Sequence, residues 1–201
     1  MMVDIDAKTV MALRKQTGAP MMDCKKALQD VEGDIDKAVQ ELRKRGLQSA
    51  DKKAGRQATE GMVFSYVHPP GKIGVLVEVA CETDFVARNE EFQSWGRDLC
   101  HHIAFADPAG LTREDIDAEL IEKERQFVIE QSKETMAGKP EDVIEKAING
   151  RLEKFFAERT LLDQGWVKDE KQSVEQVRKD LVAKIGENIQ IQRFVRFELG
   201  A

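Results

Sequence analysis

Apolar residues in the first 46 positions recur with the period of an α-helix. Two successive segments carry them at i, i+3, i+4 and i+7, which is the spacing of one apolar helix face. The residues at this spacing are Cys24, Ala27, Leu28 and Val31, followed by Ile35, Ala38, Val39 and Leu42. Gly18, Gly33 and Gly46 stand where three successive helices would end, and Asp34 stands where it would cap the third. This region is therefore predicted to be a small three-helix module.

The apolar period changes from helical to alternating after residue 60. Residues 62–68 and 72–80 alternate apolar and polar side chains and are separated by Pro-Pro-Gly, a combination that predicts a β-hairpin. Residues 188–199 alternate in the same way. A C-terminal strand is therefore expected to complete a small antiparallel sheet.

Helical patterns fill the region between this hairpin and the last strand. Apolar residues at helical spacing in 92–106 predict a helix that packs back on the hairpin. A capping-box pattern at 112–115 opens a charged helix that is predicted to reach about Met136. A break at 138–140 and a second helix follow, so an antiparallel helical hairpin is expected over about 113–160.

The chain is predicted to belong to the α+β class and to have two folded parts. Residues 1–50 are assigned to the N-terminal helical module and residues 51–60, which are mostly polar, to a linker. Residues 61–201 are assigned to a core domain in which helices pack on the small sheet. The helical hairpin is expected to protrude from this core as a coiled coil.

Composition narrows the range of functions. The chain has 201 residues and a formal net charge of -6, which disfavours nucleic acid as the main partner because phosphates need a basic surface. Three cysteines are an odd number at long spacings, so a reduced, cytoplasmic protein is expected rather than a disulfide framework. No apolar run approaches the roughly 20 residues of a membrane span, and no signal peptide is recognisable at the start.

Candidate catalytic and metal-binding groups are few. No phosphate-binding glycine loop, no nucleophile motif and no metal-ligand spacing occurs. Cys100, His101 and His102 are adjacent, so in a helix they point apart and cannot bind one metal ion together. His102 lies on the apolar stripe, which favours a core or interface role over that of a catalytic base. We expect neither an enzyme with a bond-making step nor a cofactor or metal.

Two pairs of residues each allow a structural and a functional interpretation. Met21 and Met22 either fill space between helices or form an adaptable contact surface for a partner. Asp84 and Phe85 follow a strand directly. They are either a helix N-cap with a hydrophobic staple or a protruding turn that anchors in a pocket of another protein.

Five separated motifs together resemble the elongation factor Ts family of bacterial guanine-nucleotide exchange factors for elongation factor Tu. They are TGAPMMDCKKAL at 17–28, GKIGVLVEV at 71–79, TDFVARNEEF at 83–92, GKPEDVIEKAINGRLEKFF at 138–156 and KIGENIQIQRFVRFELG at 184–200. The resemblance covers nearly the whole chain. It matches the short form of the family, which has a single core sheet.

The resemblance implies a fold, a partner and site residues. The N-terminal module would be ubiquitin-associated-like and would dock on the GTP-binding domain of elongation factor Tu near Leu13, Met21 and Met22, and His102 is added to this docking set. The turn of Thr83, Asp84, Phe85 and Val86 would insert near the Mg²⁺ site of the same domain. A homodimer would supply the contacts that longer family members make with a second core half.

Two other functions remain open on the residues alone. The N-terminal module would also suit an adaptor that reads ubiquitin-like folds. The basic cluster at 43–45 would suit a ribosome-associated RNA-binding protein, although it has no interleaved aromatic residues to stack on bases.

Overall fold

The computed structural model describes residues 5–135 and 139–200, apart from the side chains of residues 133 and 134. It contains both helices and strands, which confirms the predicted α+β class. The elements are α1 (Ala7–Thr17), α2 (Met21–Asp30), α3 (Ile35–Lys53), β1 (Glu60–His68), β2 (Ile73–Cys81), α4 (Asp84–Ala87), α5 (Glu90–Ala106), α6 (Ala118–Thr135), α7 (Glu141–Arg159), β3 (Gly165–Trp166), β4 (Asp169–Ser173), α8 (Val174–Ile185) and β5 (Ile189–Glu198).

Helices α1, α2 and α3 pack around the small apolar core that the sequence periodicity predicts. Its buried members are Val10, Leu13, Cys24, Ala27, Leu28, Ala38 and Leu42. Gly18 ends α1 in the left-handed conformation with φ of 69°, as predicted, and its N–H donates to the carbonyl of Arg14 at 2.8 Å. Asp34 caps α3, also as predicted, because its Oδ1 accepts from the N–H of Lys37 at 3.0 Å.

The predicted helix end at Gly46 is wrong, because α3 continues through this residue to Lys53. A Cβ atom added at Gly46 would lie 3.1 Å from the Cβ of Ala183 in α8. Glycine at this position therefore allows two helices to approach closely, which is a different use of its missing side chain from ending a helix. The extended α3 takes in the first part of the segment predicted as a linker.

The chain divides into two compact units that do not follow a single cut along the sequence. One comprises Met1–Met62, Val79–Ser94 and Gln176–Gln192, and the other comprises Val63–Glu78, Trp95–Glu175 and Arg193–Ala201. The first unit contains the three-helix module together with α4 and most of α8. The predicted domain boundaries at residues 50 and 60 stay predictions.

Strands β1, β2 and β5 form one sheet in the order β1-β2-β5. The backbone carbonyl of Lys72 accepts from the N–H of Leu199 at 2.9 Å, and the Glu78 carboxylate pairs with the Arg193 guanidinium at 2.6 Å, so β2 and β5 run antiparallel. The hairpin and the C-terminal strand are therefore confirmed. A further short pair, β3 and β4, is also antiparallel and was not predicted.

One side of the sheet is covered by α5 through a close contact. Phe64 of β1 is buried at 5% exposure and lies against Gly96, where an added Cβ would come within 2.3 Å of the ring. The residues that alternate with Phe64 are exposed, notably Val63 and Val67. The second side of this part of the sheet therefore carries exposed apolar side chains.

Helices α6 and α7 form the predicted antiparallel pair. The side chains of Gln131 and Arg151 are hydrogen bonded, and Glu124 lines the same groove as Glu158, so residue numbers rise on one helix as they fall on the other. The predicted capping box is present, but the element it caps is only a 3₁₀ turn over Arg113–Asp115. The buried, extended Ile116 separates that turn from α6, so the long helix starts later than predicted. The predicted helix end at Met136 and the Gly138 of the break lie outside the described residues.

Candidate functional site

The segment after β2 forms the one-turn helix α4, which Thr83 caps. The Thr83 Oγ accepts from the N–H of Val86 at 3.4 Å, so Thr83 holds the N-cap position that one interpretation gave to Asp84. That interpretation is wrong, and so is the assignment of Phe85 as a staple, because its side chain is 78% exposed. Val86 is 8% exposed. The turn therefore has one face fixed in the protein and one face, with Phe85, in solvent.

Asp84 is on the exposed side of the turn beside Phe85. Its Oδ2 accepts from the guanidinium of Arg88 at 2.7 Å, and the side chains of Arg88 and Asp84 are 75% and 46% accessible. An exposed i,i+4 ion pair stabilises a helix by only about 0.3–0.5 kcal/mol. The Asp84 carboxylate can therefore exchange Arg88 for a partner group at little cost.

The base of the turn is held by buried and half-buried groups. The Cys81 Sγ lies 3.1 Å from the carbonyl oxygen of Thr83 and donates to it. Burial, with a smaller contribution from the charge of Glu187, raises the pKa of the Cys81 thiol to about 11. The thiol therefore keeps its proton at neutral pH and remains a donor. Cys81 is fully buried, which makes this a structural contact.

Glu187 is the part of the site that the sequence did not reveal. It lies in the turn between α8 and β5, and its two carboxylate oxygens accept from the N–H of Thr83 at 3.0 Å and from the Thr83 Oγ at 2.7 Å. The two residues are 104 positions apart. In the sequence, Glu187 is recognisable only as a carboxylate that follows the helix-ending Gly186 within the motif at 184–200. This position does not reveal that Glu187 contacts Thr83.

The predicted docking residues divide into an exposed and a buried group. Met22 is 73% exposed and Met21 is 38% exposed, both at the start of α2. Leu13 is fully buried in the core of the three-helix module. His102 is 1% exposed, so it offers a partner no accessible surface.

Both ring nitrogens of the buried His102 have hydrogen-bond partners. Its Nδ1 accepts from the N–H of Val167 at 3.2 Å, and its Nε2 lies 3.1 Å from the Oε1 of Gln164. A neutral ring with the proton on Nε2 satisfies both hydrogen bonds. Burial lowers the pKa of His102, and the hydrogen bond to Gln164 opposes this only in part. The ring also stacks on Trp166, with 5.4 Å between centroids.

Two general features bear on partner and location. Within residues 5–135 and 139–200, His, Cys, Asp and Glu side chains form no group of three or more that could bind a metal ion. None of the helices in these ranges combines the length and the apolar character that a membrane span requires.

Known proteins resemble this chain over nearly its whole length. The sequence model of the family described as Elongation factor TS matches residues 25–201. The chain is 52% identical over 198 residues to the Elongation factor Ts of Geobacter sulfurreducens, a match that covers 98% of this chain and 91% of that protein. It is 54% identical over 196 residues to the Elongation factor Ts of Thermosipho melanesiensis, covering 98% and 99%. The chain belongs to the elongation factor Ts family. The family assignment that the five motifs suggested is thus confirmed.

The residues that match the family model include those of the exposed turn and its support. Residues 25–201 include α4, its cap Thr83 and the supporting Glu187. Met21 and Met22 precede the matched range, but the alignment with the Thermosipho melanesiensis protein covers 98% of the chain. The similarity to this relative therefore extends to the start of α2.

Proposed function

We propose that this protein is a guanine-nucleotide exchange factor for elongation factor Tu in translation elongation. Besides membership of the family, one observation carries the proposal. Phe85 is 78% exposed on a turn whose first residue, Thr83, is held by hydrogen bonds to Glu187. An exposed aromatic side chain on a turn of fixed conformation is suited to anchor a partner, because aromatic anchors dominate the binding energy at protein interfaces.

The proposed mechanism inserts the Thr83–Val86 turn near the Mg²⁺ site of the Tu GTP-binding domain. Mg²⁺ bridges phosphate oxygens and protein groups, and it is the largest local charge in such a site. Phe85 displaces the elements that position the metal ligands, while Asp84 exchanges Arg88 for polar groups near the metal. Loss of Mg²⁺ then weakens the hold on GDP.

Exchange by this route requires no bond-making residue in the factor. The factor binds nucleotide-free Tu more tightly than nucleotide-bound Tu, and by linkage the same coupling free energy weakens nucleotide binding. Because the coupling is reciprocal, incoming GTP displaces the factor. The protein acts catalytically on exchange without being an enzyme of a chemical reaction.

The start of α2 is proposed to dock on the same Tu domain. Met21 and Met22 supply accessible, flexible apolar surface, which suits a contact that must adapt during exchange. Leu13 and His102 are both buried, so neither can contact a partner directly. Leu13 supports the docking surface from within the core of the three-helix module, and His102 is not part of that surface. Docking and displacement are thus assigned to different elements of the chain.

A homodimer is proposed to form through the open side of the sheet. The residues with exposed apolar side chains there are Val63, Val67, Leu76, Val195 and Phe197. A three-stranded sheet with an uncovered apolar side is not fully stabilised by its own unit. Pairing with a second copy would cover these residues.

The remaining aspects of the proposal follow from composition and burial. A cytoplasmic location is supported by three free cysteines, all of them buried. Nucleic acid is not proposed as a partner, since the net charge is -6. The adaptor and RNA-binding alternatives receive no specific support from the site.

Release of a fluorescent GDP analogue from elongation factor Tu tests the proposed function. Added at one-twentieth of the Tu concentration, the protein is expected to release all of the bound analogue in the presence of excess GTP. An adaptor or RNA-binding protein would leave the intrinsic release rate unchanged. Release limited to one-twentieth of the Tu would also contradict a catalytic exchange factor.

A further inference from the structure

Thr83 connects the exposed turn to the rest of the first unit, and each of its polar groups is engaged. Its carbonyl oxygen accepts from Cys81 and from the N–H of Ala87, at 3.1 and 3.2 Å. Its N–H and its hydroxyl both donate to Glu187. The orientation of α4 is therefore determined at this residue and not at the exposed Phe85.

The two hydrogen bonds from Thr83 to Glu187 fix the direction of the hydroxyl group. A threonine hydroxyl has one proton, and here the proton is directed to the Glu187 Oε1 at 2.7 Å. A lone pair of the same oxygen then faces the N–H of Val86 at 3.4 Å. Glu187 thus determines which way the cap of α4 points. Hydrogen bonds to a carboxylate are also stronger than those between neutral groups.

Glu187 is itself held in place through its neighbour. The N–H of Asn188 donates to the Oε1 of Glu82 at 2.6 Å, so the segments 82–83 and 187–188 are joined by two carboxylates acting in opposite directions. The fully buried Asn188 also donates its amide to the carbonyls of Arg56 at 2.8 Å and Ala54 at 3.3 Å. The support of the turn therefore extends to the end of α3.

We propose that Glu187 is a positioning residue for nucleotide exchange, which holds the Thr83 cap so that Phe85 is presented at one fixed angle. This inference rests on the proposed exchange function. Reactive geometry tolerates little displacement, and a wedge on a loosely held turn would lose much of its effect on the metal site. Glu187 touches neither nucleotide nor metal in this proposal.

Substitution of Glu187 separates positioning from general stability. In Glu187→Gln one of the two acceptor oxygens becomes an NH₂ donor and the negative charge is lost, so the N–H and the hydroxyl of Thr83 can no longer each donate to a carboxylate oxygen of their own. Glu187→Ala removes both acceptors. We expect the maximal rate of GDP release from elongation factor Tu to fall by at least about tenfold in Glu187→Ala, because both charge-assisted hydrogen bonds to Thr83 are lost and even one of them contributes enough for that factor. Glu187→Gln should lie between this variant and the unmodified protein.

Three further measurements distinguish positioning from a merely structural role. The protein concentration at half-maximal rate should change little, because docking is assigned to α2. Amide hydrogen exchange should quicken at residues 83–87 in free Glu187→Ala and stay the same in the three-helix module. Thr83→Val combined with Glu187→Ala should slow exchange by less than the product of the two single effects, since both substitutions remove the same hydroxyl–carboxylate hydrogen bond. Glu170→Gln, an equal charge change at an exposed position of β4, serves as the control.

Each outcome decides the proposal. A maximal rate for Glu187→Ala equal to that of the unmodified protein would overturn the positioning role and leave the exchange function intact. A lowered melting temperature with parallel changes in rate and half-saturation would assign Glu187 to folding alone. If the unmodified protein does not accelerate GDP release, the exchange function fails and the positioning role fails with it. Quickened hydrogen exchange limited to 83–87 with a reduced maximal rate supports the proposal.

Discussion

Replacement of Phe85 by alanine tests whether the exposed ring is an anchor for a partner. An enclosed Phe side chain buries on the order of 200 Å² of surface. Because 78% of the Phe85 side chain is accessible in the free protein, insertion can bury about 150 Å² more, which contributes about 4 kcal/mol at about 25 cal/mol per Å². Ordering the side chain opposes this by about 1 kcal/mol, so a net loss of about 2 to 3 kcal/mol is expected for Phe85→Ala.

The assay compares GDP release with thermal stability. Since about 1.4 kcal/mol corresponds to tenfold, Phe85→Ala should slow exchange by about 30-fold or more. The melting temperature of the free protein should barely change, because the ring makes little contact within the chain. Phe105→Ala removes an equally exposed ring on α5, 82% accessible, and is the matched control with unchanged exchange. Exchange by Phe85→Ala at the rate of the unmodified protein, or a large fall in melting temperature, would refute the reasoning.

Three further predictions concern docking, self-association and packing. Met22→Ala should raise the half-saturating concentration in the GDP-release assay by about tenfold, because about 1.5 kcal/mol of apolar burial is lost, while the maximal rate stays the same. An unchanged half-saturating concentration would exclude docking through Met22. Phe197→Glu should convert a dimer at micromolar concentration into a monomer in sedimentation velocity, whereas a monomer before substitution would contradict the proposed sheet interface. Gly96→Ala should lower the free energy of unfolding by about 1 to 3 kcal/mol, because the new methyl group overlaps the ring of Phe64. Gly150→Ala, where a Cβ meets open space on α7, should stabilise by about 0.5 to 1 kcal/mol in the same denaturant titration, and equal effects of the two substitutions would contradict the packing at Gly96.

Elements with strong periodicity were predictable from the sequence alone. The three N-terminal helices, the hairpin of β1 and β2, and the final strand all carry apolar side chains at the spacing of one buried face. Gly18 and Asp34 end and cap helices as local chemistry requires, because both effects depend on residues only a few positions away.

Features that depend on tertiary contacts were not predictable in the same way. Gly46 has the local signature of a helix end, but its role is set by Ala183, which is far away in the sequence. Strand β4 (Asp169–Ser173) is polar throughout and pairs with a strand of only two residues, so it has no apolar period to reveal it.

In the candidate site, too, local features were predictable from the sequence and tertiary contacts were not. The pair Asp84 and Phe85 was recognisable as a turn after a strand, but exposure alone distinguishes an anchor from a staple. Glu187 could not be assigned to the site from one sequence, because its contact joins two loops that no local pattern relates. The buried position of His102 depends equally on distant residues, since Gln164 and Val167 complete its hydrogen bonds.

The central claim is that the Thr83–Val86 turn releases GDP by acting at the Mg²⁺ site of elongation factor Tu. The most direct test measures GDP release over a range of free Mg²⁺ concentrations with the unmodified protein and with Phe85→Ala. At ordinary Mg²⁺ the variant should be at least about 30-fold slower, and the two rates should converge as the metal is chelated, because chelation removes the ion on which the turn acts. A ratio between the two rates that stays constant at every Mg²⁺ concentration would contradict the account.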